Sequence, residues 1–252
     1  MSVALMAALA ACMLATAFLS GIFGMAGGMI LIGVLLAVMP VADAMALHAV
    51  TQMASNGWRA LLWWRYVRPR AAAAFLTGSL LALVVWSLFQ YVPDKAVAML
   101  LLGTLPLAVR ALPASLKPDA ERIDHGLLYG AISMTSMLLT GVVGPLIDTF
   151  FLGGKLGRRE IVATKSFCQI VGHTSKLLYF TAFAAQATVD MTMMAVAITC
   201  SIVGTTVARR FLEAMSDTQY RTWTSHIITG VCGIYVLQGL YLLAIPTLEA
   251  AP

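Results

Sequence analysis

Charge is what this sequence has least of. Of its 252 residues only 11% are charged and 60% are hydrophobic, where an ordinary globular chain carries roughly 25% charged residues. That leaves too little polar surface to clothe a soluble protein, which excludes a soluble enzyme, a DNA-binding domain and a disordered scaffold. Cysteine is sparse as well: Cys12, Cys168, Cys200 and Cys232 stand singly with no CxxC or CxxxC pair, so neither zinc nor an iron–sulfur cluster is expected. The four histidines, His48, His125, His173 and His226, form no HExxH. No recognisable serine nucleophile motif is present, and no strand or GKS/T accompanies the glycines, so Rossmann and Walker readings fail. The N-terminal apolar run has no basic n-region and reads as part of the mature protein. No cofactor is expected.

What is present is apolar length. Mean hydropathy is +0.89, and a helix crossing roughly 30 Å of hydrocarbon needs about 20 apolar residues. Six stretches meet this: 43–64, 71–90, 95–111, 160–182, 189–208 and 222–245. Two others are broken. Residues 3–39 are interrupted by glycines within 20–28, and residues 126–152 by Gly141, Gly144 and Pro145. Such breaks free backbone groups that must be buried in protein or line a cavity.

The net charge of +5 would suggest nucleic acid in a soluble chain; here the basic residues read as topology signals, because Lys and Arg are retained in cytoplasmic loops. Arg65, Arg68 and Arg70 mark one such loop, and Arg110, Lys117 and Arg122 the next. Lys155, Arg158 and Arg159 mark a third, and Arg209, Arg210 and Arg221 a fourth. The connections at 91–94 and 183–190 carry none and face outward. Loops 112–125 and 153–159 then share one side, so 126–152 enters and returns as a re-entrant hairpin of two half-helices. By the same counting 3–39 is a hairpin entering from outside, and both termini face the periplasm. The expected fold is an all-α polytopic membrane protein of two inverted-topology repeats. Repeat one is 1–111, residues 112–125 are a cytoplasmic linker, and repeat two is 126–252. Secondary transporters commonly use this plan, with the site at the repeat interface near the midplane.

The repeat is visible in residues. Gly21-Ile-Phe-Gly24 matches Gly141-Val-Val-Gly144, and at a slightly different offset His48, Gln52, Ser55, Asn56 and Arg59 fall on Lys165, Gln169, Gly172, His173 and Lys176. At 100° per residue each set spans about 100° of helix surface, a single polar stripe. Snorkelling or interhelical hydrogen bonds would account for any one of these residues, and for Arg59 near a helix end especially. The recurrence, and two lysines on one apolar helix, point instead to a substrate site. Gly24, Gly27 and Gly28 either let helices pack closely or let a broken helix aim free N–H groups at an anion, as Gly144 would in the second hairpin. Asp148, within that hairpin, either pairs with Lys165 or Lys176 or takes up a proton during transport.

On the Gly21–Gly28 break, the polar helix holding His48–Asn56 and the second copy at Gly141–Pro145 and Ser166–Thr174, the chain resembles the TauE/SafE (TSUP) family over nearly its full length. That resemblance implies a bacterial inner-membrane permease, often an exporter, for sulfite, sulfonates and related sulfur anions. Pro145 and Asp148 depart from the family's glycine-richer second hairpin. The residues independently suggest an anion permease, since cationic and amide donors from both halves suit an oxyanion head. A carboxylate permease, an intramembrane enzyme and a non-transporting subunit are the rival readings. The expected partners are a small anion, the bilayer and protons as a coupling ion, with no nucleic acid.

Overall fold

A computed structural model describes residues 3–23, 25–113, 118–152, 156–184, 186–188, 190–215 and 217–249. Among these residues there is no strand. The helices are α1 (Val3–Phe23), α2 (Met25–Val38), α3 (Val41–Trp63), α4 (Pro69–Phe89), α5 (Lys95–Arg110), α6 (Ile123–Thr140), α7 (Gly144–Leu152), α8 (Arg158–Leu178), α9 (Met191–Ala214) and α10 (Asp217–Glu249). A 3-10 turn, Trp64–Tyr66, extends α3, and a π turn, Tyr179–Phe183, extends α8.

Local chemistry sets several of the ends. Pro69 opens α4, where its missing N–H costs nothing. The Asp94 carboxylate caps α5 by accepting from the Val97 N–H at 2.8 Å. Gly141 ends α6 in the left-handed region at φ +79, a conformation that glycine adopts without a Cβ penalty. The Ser136 and Thr140 hydroxyls then donate to the Val142 carbonyl at 3.1 and 3.0 Å, satisfying backbone that the break exposes.

Four helices, α1, α4, α9 and α10, contain segments long and apolar enough to cross a membrane. The two broken hairpins have unequal arms, where 126–152 is expected as two half-helices. α1 has 21 residues and α2 has 14, about 31 and 21 Å at 1.5 Å per residue. α6 has 18 and α7 only 9, about 27 and 14 Å. Gly21, expected within the break, is inside α1, where a Cβ would overlap Ala208 of α9. α1 persists to Phe23 because this contact fixes a helical glycine by packing.

Small residues make the closest packing, as expected where lipid offers no hydrophobic drive between helices. In the α4–α6 pair, a Cβ at Gly78 would overlap the Leu127 carbonyl, and one at Gly130 the Phe75 carbonyl. In the α1–α9 pair, Gly204 sits against the Leu14 carbonyl in the same manner. The other main pairs are α3–α8 and α5–α10. Exchanging α1–α5 for α6–α10 maps these four pairs onto one another.

α3 and α8 run antiparallel. His48 near the start of α3 meets Lys176 near the end of α8, and the Arg68 N–H just beyond α3 donates to Thr164 near the start of α8 at 2.9 Å. At the Arg68 end, Arg68 also pairs with Glu160, and Arg65 lies over the Trp64 ring at 5.5 Å to the centroid. Exposed Trp64 and Tyr66 beside these arginines form an amphipathic rim suited to a membrane–water boundary. At the opposite end, Leu5, Val38, Asp43, Leu177, Thr188 and Met193 line one cavity of about 380 Å³. Both ends of the first hairpin therefore lie on the same side as the α8–α9 connection.

Candidate functional site

Polar side chains in the bundle interior gather on facing stripes of α3 and α8. His48, Gln52, Asn56, Gln169, His173 and Lys176 are all buried, and Lys176 and Asn56 have 0% relative exposure. They recur at helical spacing, so they fall on the faces by which α3 and α8 meet.

The centre is a chain of hydrogen bonds through Lys176. His48 Nε2 lies 3.0 Å from the Gly28 carbonyl oxygen. A carbonyl only accepts, so Nε2 carries the proton and donates, which leaves Nδ1 of the neutral ring as an acceptor. Lys176 Nζ donates to that Nδ1 at 2.8 Å and to the Gly141 carbonyl at 3.0 Å. One lysine therefore ties α3, through His48, to the first turn of α2 and to the break between α6 and α7. The His173 ring packs edge-on to His48 with centroids 5.7 Å apart, and it lies within electrostatic reach of Lys176 and Arg59.

The two hairpin breaks meet at this point. Gly144, which opens α7, sits against Met25, which opens α2, so closely that a Cβ would overlap Met25 Cβ. Two helix N-termini, each with partial positive charge, thus abut near one buried amine. Gly27 and Gly28 lie in the first turns of α2. Gly27 is pressed on Thr16 and Ser20 of α1, and Gly28 is covered by the Gln52 side chain. Gly24 lies outside the described residues.

The remaining expected site residues divide. Asn56 is held at both ends, donating through Nδ2 to the Gln52 carbonyl at 2.9 Å and accepting from Arg59 at 2.8 Å. Ser55 turns away from α8 and shares a hydrogen bond with Thr205 of α9 at 3.0 Å. Lys165 forms a salt bridge with Asp148, so this lysine, expected to bind substrate, already has its counter-charge. Its fate differs from that of Lys176 because α7 sets the Asp148 carboxylate beside Lys165, whereas the break between α6 and α7 sets the Gly141 carbonyl beside Lys176. The Gly141 carbonyl, Lys176's acceptor, was not foreseen as a ligand. The glycine in the second break, facing a lysine-bearing helix, was the available signal.

Among the described residues, two buried polar atoms on this face have no hydrogen-bond partner, Gln169 Oε1 and His173 Nδ1. Buried polar atoms are nearly always satisfied, by protein or by ordered water, so these two stand out. The imidazole donates from Nδ1 in one tautomer, and a turn of the amide presents NH₂ in place of Oε1. The 380 Å³ cavity approaches from one end, where Leu47, Val50 and Leu177 of its lining flank His48 and Lys176 in the chain. At its rim the Asp43 carboxylate accepts from the Thr188 N–H at 2.6 Å and hydroxyl at 3.0 Å.

Membrane-length apolar helices around a buried, basic, incompletely satisfied polar interior define an integral membrane transporter. The chain matches the family model described as sulfite exporter TauE/SafE over residues 8–236 and belongs to that family. It is a family of transporters and not of enzymes, which sets the intramembrane-enzyme reading aside. No curated protein and no solved structure matches the chain.

Proposed function

We propose that this protein exports small sulfur-containing anions, sulfite or organosulfonates, across the bacterial inner membrane. The observation that carries the reading is Lys176: a fully buried amine bonded to a histidine and a carbonyl. An intramembrane amine is costly, by roughly 2.5–3.5 kcal/mol on insertion scales, and an anion that arrives and leaves offsets that cost only while bound. Gln169 and His173, with unsatisfied atoms on the same face, supply further donors to an oxyanion head. The first turns of α2 and α7, with Gly27, Gly28 and Gly144, add backbone N–H groups. His48, Gln52 and Asn56 complete the wall on α3, while Lys165 and Asp148 act as a structural pair.

The same reading treats the halves as inverted repeats about α3 and α8. The exchange of helix pairs between halves supports it, as does the antiparallel course of α3 and α8. The end holding Arg68 is taken as cytoplasmic, and the cavity then opens to the periplasm as the exit vestibule.

The test is a thermal-shift screen of purified protein against sulfite, alkanesulfonates, thiosulfate and carboxylates. A bound ligand raises apparent stability by RT ln(1 + [L]/Kd), about 2.7 kcal/mol at a hundredfold excess over Kd. Sulfite or a sulfonate should give the largest shift, and Lys176→Ala should abolish it. A larger shift with a carboxylate would move the assignment to that anion, and an unaltered sulfite shift in folded Lys176→Ala would remove the site.

A further inference from the structure

We propose that Lys176 is also the coupling group, taking up one proton when the anion binds and releasing it when the anion leaves. This rests on the anion site proposed above. The donor count carries it. With His48 Nε2 committed to the Gly28 carbonyl, Lys176 faces two acceptors, His48 Nδ1 and the Gly141 carbonyl. An uncharged amine has two N–H donors and both are used; an ammonium has three, together with a charge that must be compensated at 0% exposure.

The surroundings offer no compensation. On elements packed against α8, the charged and titratable groups are Asp43, His48 and Arg59 on α3, Arg70 on α4, Asp124, His125 and Tyr129 on α6, Asp148 on α7, Arg65 and Tyr66 in the 3-10 turn and Tyr179 in the π turn. Asp43 lies about 7.5 Å before His48 along α3 and accepts from the Thr188 N–H and hydroxyl at the cavity rim. Only His48 touches the amine. Asp148 is taken by Lys165, eleven residues or about 16 Å along α8. Asp124 pairs with Arg122 at the far end, His125 accepts from the Asp119 N–H there, and the Tyr179 hydroxyl donates to the Tyr91 carbonyl. Arg59 and His173 add only basic character.

The empty site therefore holds R–NH₂. Anion entry brings the counter-charge, the amine lone pair takes a proton, and the third N–H of R–NH₃⁺ points to the anion. The protein's charge rises by one as the anion contributes minus one, so the loaded site has the charge of the empty one. Nothing beyond one proton is needed for balance, and a monoanion then travels with a proton as an electroneutral pair. The carboxylate singled out from the sequence, Asp148, has no part in this step.

The experiment is calorimetric binding to intact purified protein at mildly alkaline pH, repeated in buffers of different ionisation enthalpy. The probes are sulfite, corrected for its own protonation, and ethanesulfonate, which has no group that titrates there. The expected result is uptake of about one proton per anion, and affinity that weakens about tenfold per pH unit on raising pH. Asp148→Asn should keep that uptake. In Lys176→Arg, whose guanidinium is always charged, affinity should change but lose its pH dependence, and no proton should be taken up. Binding with no proton uptake in the wild type, or uptake lost in Asp148→Asn with binding kept, overturns the coupling role and leaves the anion site standing. Absence of binding by either probe overturns both.

Discussion

Asp148 and Lys165 give the sharpest contrast between structure and transport. Their side chains are 16% (Lys165) and 21% (Asp148) exposed and form a salt bridge between α7 and α8. Stranding one partner of a fully buried pair costs about 3–5 kcal/mol, whereas an exposed pair is worth about 0–1. With roughly a fifth of each side chain open, Asp148→Asn or Lys165→Met should each cost about 1–3 kcal/mol. At about 2–4 °C per kcal/mol for a chain of this size, the melting temperature falls by about 2–12 °C. The double variant removes both charges, so most of the loss should return, giving a coupling energy of the order of the single losses. The assay is thermal unfolding in detergent for all four proteins of the cycle, with sulfite affinity measured alongside and expected to stay within about threefold, since neither group reaches the anion. Normal stability in Asp148→Asn with transport abolished would refute the structural assignment, and so would additive losses in the double variant.

Two further outcomes follow from packing and from the placement of charge. Gly78→Val should destabilise strongly, by about 3 kcal/mol or more, because its Cβ would overlap the Leu127 carbonyl; Gly230→Ala, with nothing within 4 Å of its Cβ, should be neutral or slightly stabilising in parallel melts. On a cysteine-free background, Met191→Cys at the vestibule end should react with an impermeant thiol reagent in intact cells and Glu121→Cys should not; the reverse pattern would invert the topology.

The helices that carry this site were legible because two periodicities coincide in them. Apolar runs of about twenty residues overlap α3, α4, α5, α8, α9 and α10, with α9 running past the expected end and α10 further at both ends. The hairpins were legible as breaks but not as arms. Glycine marks where a chain is able to turn, whereas the length of each arm depends on contacts such as Gly21 with Ala208, which join residues far apart in sequence. The same limit applied inside the site. Lys165 and Lys176 look alike in sequence, and only the third dimension gives one a carboxylate and the other a carbonyl and an imidazole. Ser55 shared the stripe and yet faces Thr205, because a stripe of about 100° is wide enough to touch two neighbouring helices.

The unequal hairpin arms bear on direction. Were the halves identical, the inward-open and outward-open forms would be related by a two-fold rotation and equal in energy, and an empty carrier would rest in each half the time. α2 is five residues longer than α7, and the stripe on α3 carries His48 and Asn56 where that on α8 carries Lys165 and His173. The two forms then differ in free energy, and a difference of only 1.4 kcal/mol fixes the resting ratio at about ten to one. On the proposed export reading such a carrier rectifies: it waits open to one compartment, so cargo arriving on that side is met at once and cargo on the other side must first wait for the rarer form.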